Sequence, residues 1–155
     1  SFLGAGRRLE HKGTVNGAQV YDDYAHNPQK LEAMWRTLQE AYPAGVCAVW
    51  RPHGYAPLRK MLDDLAAMFS RVIRDCDKLL LLPVYDAGGT ADRSVNSGML
   101  AELIPESKVI LVDGIDCAYE WMASNIGSYA AFATCGARDT QLPALARRIA
   151  ALRKK

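Results

Sequence analysis

The sequence predicts an α/β fold of the three-layer, Rossmann-like kind, with a mostly parallel sheet and an antiparallel N-terminal hairpin at its edge. Short apolar runs typical of buried strands alternate along the chain with segments whose apolar residues recur at helical spacing. Parallel strands need long crossover connections, which are normally helices, so this alternation favours a parallel sheet covered on both faces. An Asn-Gly pair near the N-terminus indicates the hairpin.

Each element is predicted from a local pattern. Two strands are expected at 7–12 and 18–22, joined by a turn within "GTVNG", where Asn-Gly supplies the positive φ of a tight connection. A helix is expected at 29–41, directly after a proline that suits a first helical turn. The later apolar runs predict strands at 45–50, 78–84, 108–112 and 129–135, and the amphipathic segments predict helices at 58–73, 95–104, 116–126 and 142–155.

Length and composition favour one globular domain, residues 1–155, with no nucleic-acid or membrane partner. The 19 basic residues against 17 acidic ones give a formal charge of +2, too little to indicate nucleic-acid binding. No apolar run approaches the roughly 20 residues that span a bilayer, and no secretory signal is recognisable. The four well-separated cysteines read as structural thiols of a reducing compartment, so we expect a cytoplasmic protein.

The loops that follow predicted strands are the candidate functional segments, because ligands of such sheets gather outside the carboxyl ends of the strands. The segments "DDYAHNP", "RPHGYAP" and "CGARDT" combine charged or imidazole side chains with glycine or proline. His26 and His53 lie in two of them, and each is either a binding residue or a satisfied structural histidine. Asp22 and Asp23 could bond to ribose hydroxyls or stabilise the start of the next helix.

Several common site types are excluded by missing motifs. There is no G-x-x-x-x-G-K-[ST] loop and no G-x-G-x-x-G between a strand and a helix, so this chain alone lacks the usual phosphate-binding loops for triphosphates. No G-x-S-x-G elbow supports a serine nucleophile. No second ligand stands at a metal-binding spacing near either rim histidine, so we expect no metal site.

These segments, in this order, resemble the C-terminal domain of the Mur ligases, closest to the UDP-N-acetylmuramate–L-alanine ligases or the related muropeptide ligases. "GAGRRLEHKG" is similar to the family's G-x-x-R-R-[FL]-E, and "VYDDYAHNP" to its D-D-[YF]-[AG]-H-x-P. "RPHGYAPLR" stands where the alanine-adding enzymes have Q-P-H-R-Y-S-R, and "LLLLPVYDAGGT" resembles D-V-Y-x-A-G-E. "ATCGARDTQLPALARRI" resembles the closing G-A-G-D-x-x-x-L-A, so the match covers nearly the whole chain.

The resemblance implies a three-domain, ATP-dependent enzyme of peptidoglycan precursor synthesis. An N-terminal domain would hold the UDP-N-acetylmuramate-type nucleotide, and a central P-loop domain would hold most of the ATP and Mg. The substrate carboxylate would form an acyl phosphate, which the amine of an amino acid or short peptide then displaces. The third domain would close over the central one and exclude water, with no complete catalytic set of its own. A chain without a P-loop or an initiator methionine is then expected to be that domain, excised and inactive by itself.

The resemblance also assigns roles to individual residues. The nucleotide side of the closed cleft would be lined by Asp22, Asp23, Tyr24 and His26. Arg7 or Arg8 would reach toward phosphate or substrate charge, and His53 would face the incoming amino acid.

Departures from the family pattern leave open which amino acid or peptide, the acceptor substrate, is joined to the nucleotide. Gly54 and Pro57 replace the two arginines of Q-P-H-R-Y-S-R, so Arg51 or Arg59 would have to recognise the amino acid's carboxylate instead. A tripeptide-recycling muropeptide ligase is a close alternative. A non-catalytic nucleotide- or ligand-binding module is the alternative from another class, and a folylpolyglutamate-synthase-like ligase matches little beyond the histidine loop.

Overall fold

A computed structural model describes residues 8–86, 88–89, 92–137 and 139–152. Its strands are β1 (Glu10–Val15), β2 (Ala18–Asp23), β3 (Val46–Trp50), β4 (Lys78–Leu81), β5 (Val109–Leu111) and β6 (Ala131–Cys135). Its α-helices are α1 (Pro28–Ala41), α2 (Tyr55–Val72), α3 (Ser97–Glu102), α4 (Ile115–Ser124) and α5 (Gln141–Ala150).

The strands within these ranges form one six-stranded sheet in the order β1-β2-β6-β3-β4-β5. β1 is antiparallel to β2, and every other neighbouring pair is parallel. This arrangement confirms the predicted fold class, including the antiparallel hairpin at one edge. Because β2, β6, β3 and β4 run in the same direction, the loops that follow them lie along one edge of the sheet.

The N-terminal hairpin differs from its prediction in where its strands begin and end. Asn16 and Gly17 have φ of 50° and 85°, so these two residues alone form the connection. β1 therefore continues to Val15, which is buried, and does not stop at residue 12. The predicted strand start at residue 7 lies outside the described residues.

Side chains alternate across the central strands to form a layer of helices on each face. In β3, Ala48 and Trp50 join a buried cluster with α1, α2 and α3, whereas Cys47 and Val49 join a second cluster with α4 and α5. The same alternation occurs in β4, where Leu80 faces the second cluster. Strands that are buried on both faces in this way produce the nearly continuous apolar runs seen in the sequence.

The helix starts depend on residues that satisfy or remove unpaired N–H groups. The Asn27 side chain accepts a hydrogen bond from the Lys30 N–H at 2.9 Å, and Pro28 occupies the first turn of α1. α2 begins at Tyr55, earlier than the predicted residue 58, because Pro57 lies in the first turn and loses no hydrogen bond there. None of the described helices is both long and apolar enough to cross a membrane.

A buried carboxylate, Asp77, joins α1, β3 and the turn between α2 and β4 at the amino end of the sheet. Its oxygens accept hydrogen bonds from the Val46 N–H at 2.9 Å, from Gln39 Nε2 at 2.9 Å and from the Arg74 guanidinium at 2.8 and 2.9 Å. Burial alone would raise the pKa of Asp77, but these hydrogen bonds, chiefly those from Arg74, together hold the pKa below its ordinary value. The charged form of Asp77 therefore stabilises the fold.

We expect Asp77→Asn to lower the free energy of unfolding by about 2–4 kcal/mol near neutral pH, because the buried Arg74 pair and its hydrogen bonds are broken. Since the folded-state pKa is lowered, this contribution is present above the unfolded-state pKa and is lost as pH falls through the folded-state pKa. In urea denaturation, the difference in free energy of unfolding between the wild type and Asp77→Asn should therefore shrink below about pH 4.

The matched control is Asp75→Asn, which removes an exposed carboxylate two residues away. It should leave the unfolding midpoint within experimental error of the wild type. Equal effects of the two substitutions would contradict a specific role for Asp77.

Candidate binding site at the carboxyl edge of the sheet

Four loops meet at the carboxyl edge of the sheet and are joined by backbone hydrogen bonds. The Gly136 N–H donates to the Asp23 carbonyl at 3.2 Å, which links the loops after β6 and β2. The Tyr85 N–H donates to the Pro52 carbonyl at 2.8 Å, which links the loops after β4 and β3. Segments distant in sequence therefore form one continuous rim, as expected for an open parallel sheet.

A pocket of about 320 Å³ opens between this rim and the first turns of α2. Its walls come from the loops after β2, β3 and β6 and from one side of α2. Among the described residues, no lysine, arginine or carboxylate lines it, and the polar side-chain atoms of these walls belong to two imidazoles, a phenol and an indole. The lining residues are Tyr24, His26, Trp50, Pro52, His53, Pro57, Leu58, Met61 and Ala137.

Tyr24 and His26 form one wall of this pocket. Their rings meet edge to face with centroids 5.6 Å apart, and His26 Nδ1 lies 3.2 Å from the Tyr24 carbonyl oxygen. Both side chains are partly exposed. They are therefore available to a ligand that enters from the rim, although their predicted role in nucleotide binding remains a prediction.

Asp22 and Asp23 lie beneath the rim. Asp22 is fully buried and accepts a hydrogen bond from the Thr134 hydroxyl at 2.6 Å. Asp23 accepts from the N–H groups of Leu9 and Ala25 at 2.8 and 2.7 Å. Burial raises the pKa of Asp23 despite these two hydrogen bonds. Asp23 thus holds the loop that presents Tyr24 and His26, and Asp22 joins β2 to β6. The side chain that caps α1 is Asn27, and nucleotide binding by the two aspartates remains a prediction.

His53 lies across the pocket and stacks on Tyr85. The two ring centroids are 5.1 Å apart and the rings are inclined by 10°. Nδ1 of His53 is buried and has no hydrogen-bond partner among the described residues. The imidazole therefore retains hydrogen-bonding capacity that a ligand could use.

Arg51 and Arg59, the predicted substitutes for the missing family arginines, are both held by carboxylates of this chain. Arg51 Nε lies 2.9 Å from Asp139 Oδ2, with both side chains largely buried. Arg59 lies 3.1 Å from the Asp92 carboxylate and bonds to Ser94 Oγ at 3.1 Å. To bind a substrate carboxylate, either arginine would have to break its ion pair with the aspartate or use its remaining N–H groups.

The two arginines at the start of the chain are placed differently. Arg7 lies outside the described residues. Arg8 is exposed, and its positive charge acts to lower the pKa of Asp23. The predicted contact of either residue with phosphate or substrate charge remains a prediction.

Sequence reasoning missed several residues that build the site. Trp50, Leu58 and Met61 lie in the apolar patterns that predict a strand and a helix, and a pocket wall and a core face have the same apolar pattern. Tyr85 and Asp139 lie in segments that resemble family motifs, but the sequence assigns neither of them a role. Both could have been identified by a simple rule, since each is a polar or aromatic residue one to four positions after an apolar run.

The described residues do not fit a metal ion. They contain no group of three or more histidine, cysteine, aspartate or glutamate side chains that could hold one. The pocket walls that these residues form also include no lysine or arginine to bind a triphosphate. The described walls suit an uncharged or ring-shaped group that contacts aromatic faces and forms one or two hydrogen bonds with imidazole.

Comparison with known proteins identifies the family. The family described as "Mur ligase, glutamate ligase domain" matches residues 7–138. The UDP-N-acetylmuramate–L-alanine ligase of Brucella anthropi is 38% identical over 104 residues, which are 67% of this chain and 21% of that protein. The chain thus spans about one fifth of the length of such curated relatives.

Solved structures agree in fold. A murein peptide ligase from Psychrobacter arcticus has a TM-score of 0.69 at 17% identity, covering 100% of this chain and 32% of that one. The UDP-N-acetylmuramate–alanine ligase of Thermotoga maritima has a TM-score of 0.66 at 17% identity, covering 92% of this chain and 29% of that one. These findings confirm the resemblance predicted from the loop motifs: the chain belongs to the Mur ligase family and corresponds to its C-terminal domain.

Proposed function

We propose that this chain is the C-terminal domain of a longer ATP-dependent ligase that joins L-alanine or a related amino acid to UDP-N-acetylmuramate. The observation that supports this most is the identity with curated ligases of that name over two thirds of the chain. The position of the pocket is consistent with it, because the pocket opens at the carboxyl edge of the sheet. The domain boundaries, residues 1–155, belong to the same proposal.

In this proposal the domain positions reactants and excludes water. Tyr24 and His26 contact the nucleotide side of the closed cleft, and His53 contacts the incoming amine-bearing substrate. Closure covers the acyl phosphate, which water would otherwise hydrolyse, and makes amine capture effectively intramolecular. ATP and Mg are bound mainly by the central domain, since this sequence has no P-loop and the described pocket walls supply neither phosphate-binding cations nor carboxylates. The reaction consumes ATP and a nucleotide-linked sugar, so we propose a cytoplasmic location.

A muropeptide ligase is the second candidate, and the uncharged character of the described pocket walls favours it. A free amino acid has its carboxylate next to the reacting amine, so a pocket for it benefits from a nearby arginine. A peptide carries its terminal carboxylate several bonds farther away. The walls formed by the described residues, which include no lysine or arginine, therefore suit a peptide acceptor at least as well as L-alanine.

Phosphate release by the full-length protein that contains this chain would separate these candidates. The assay supplies ATP, Mg and UDP-N-acetylmuramate, and it compares four acceptor substrates: L-alanine, L-serine, glycine and the recycled tripeptide. Turnover with L-alanine supports the first candidate, and turnover with the tripeptide supports the second. The absence of acceptor-dependent phosphate release under all these conditions would contradict both.

His26→Ala in the full-length protein should lower kcat/KM by roughly tenfold to a hundredfold, because it removes a ring from the cleft wall. The melting temperature should stay unchanged. His11→Ala is the control, since His11 is exposed on the hairpin and bonds to Gln19 away from the pocket. Unfolding of the His26→Ala protein would instead support a structural histidine.

The isolated chain should bind ATP weakly or not at all, because the groups that would grip its phosphates are assigned to the central domain. Isothermal calorimetry of residues 1–155 with ATP, with and without Mg, measures this directly. Tight binding would refute the proposed division of roles between domains.

A further inference from the structure

The orientation of the His53 imidazole depends on an aromatic neighbour. No described residue bonds to Nδ1 of His53, although that atom is buried. The ring instead lies almost parallel to the ring of Tyr85, with the centroids 5.1 Å apart. The terminal torsion of histidine is broad when no hydrogen bond fixes it, so this stacking contact limits the rotation of the imidazole.

Tyr85 is itself fixed on both sides. Its N–H donates to the carbonyl of Pro52, the residue before His53, at 2.8 Å. The next residue, Asp86, accepts two hydrogen bonds from the Arg93 guanidinium at 2.8 and 2.9 Å and one from the Tyr55 hydroxyl at 3.3 Å. The loop after β4 is thus attached both to the loop after β3 and to the start of α2. These bonds fix the backbone from which the Tyr85 ring projects toward His53.

We propose that Tyr85 is a positioning residue, which fixes the imidazole of His53 in the orientation needed to contact the incoming amine-bearing substrate. This role rests on the proposed function, in which His53 faces that substrate. Tyr85 is not among the residues that line the pocket, so its effect passes through His53. The stacking face of the ring matters for this role, and the hydroxyl does not.

Two substitutions at residue 85 distinguish the effect of a planar stacking ring from the effect of side-chain volume alone. Tyr85→Phe retains the ring and removes the hydroxyl, whereas Tyr85→Leu retains an apolar side chain without a planar face. In the full-length protein, Tyr85→Leu should raise KM for the acceptor about tenfold and change KM for ATP little. Tyr85→Phe should retain most of the wild-type kcat/KM. Equal loss in both variants would overturn the proposal.

A double-mutant cycle tests whether Tyr85 acts through His53. In the His53→Ala background, Tyr85→Leu should change kcat/KM by less than about twofold, because the group it positions is already gone. An undiminished effect in that background would overturn the proposal. Tyr119→Leu is the control, since Tyr119 lies under the Arg148 guanidinium and is not a pocket residue; it should leave the kinetics unchanged.

A spectroscopic measurement on the 155-residue chain tests the geometry without any assay. The ring protons of His53 should be shifted upfield by the Tyr85 ring current in the wild type and in Tyr85→Phe, and the shift should be lost in Tyr85→Leu. No shift in the wild type would overturn the stacking contact. If the wild-type full-length protein turns over none of the acceptors, the proposed function is wrong. The positioning role of Tyr85 then falls with it, even if the ring-current shift shows that the rings are stacked.

Discussion

The parallel pairing of β6 between β2 and β3 is the constraint on which the site depends. β6 is the last strand in the sequence, yet it lies near the middle of the sheet and pairs with both neighbours. This insertion brings the loops after β2, β6 and β3 side by side, so that Ala137 can line the same pocket as His26 and His53. The Asp22–Thr134 hydrogen bond and the Arg51–Asp139 ion pair lie along these two pairings.

The described arginines of the rim form ion pairs within the chain. The arginines after β3 and in α2 pair with Asp139 and Asp92, and the Asp23 carboxylate accepts backbone hydrogen bonds. The pocket beside them has aromatic, imidazole and apolar walls over the part of the chain that the structure describes. Affinity for a ligand would then come from surface burial and ring contacts, with net charge supplied by whatever faces the pocket from outside. A domain of this kind suits a site completed by a second domain.

Much of the fold and part of the site could be predicted from local pattern. The alternation of apolar runs and amphipathic segments located the strands and helices, and the position of His26 and His53 just after strands placed both at the rim. The contacts of Asp22 with Thr134 and of Arg51 with Asp139 could not be predicted, since they depend on which strands are neighbours and in what register. Trp50 was equally ambiguous, because one buried indole side chain can serve both the core and a pocket wall.

The late position of β6 in the chain also has a consequence for biosynthesis. Until residues 131–135 leave the ribosome, β2 and β3 have no partner between them and expose strand edges that can pair with other chains. Protein synthesis proceeds at about 5–20 residues per second, so this exposed interval lasts several seconds. A truncated product ending before β6 would keep the hairpin and the β3-β4-β5 part of the sheet but not their junction, and we expect it to be a substrate for chaperones and proteases.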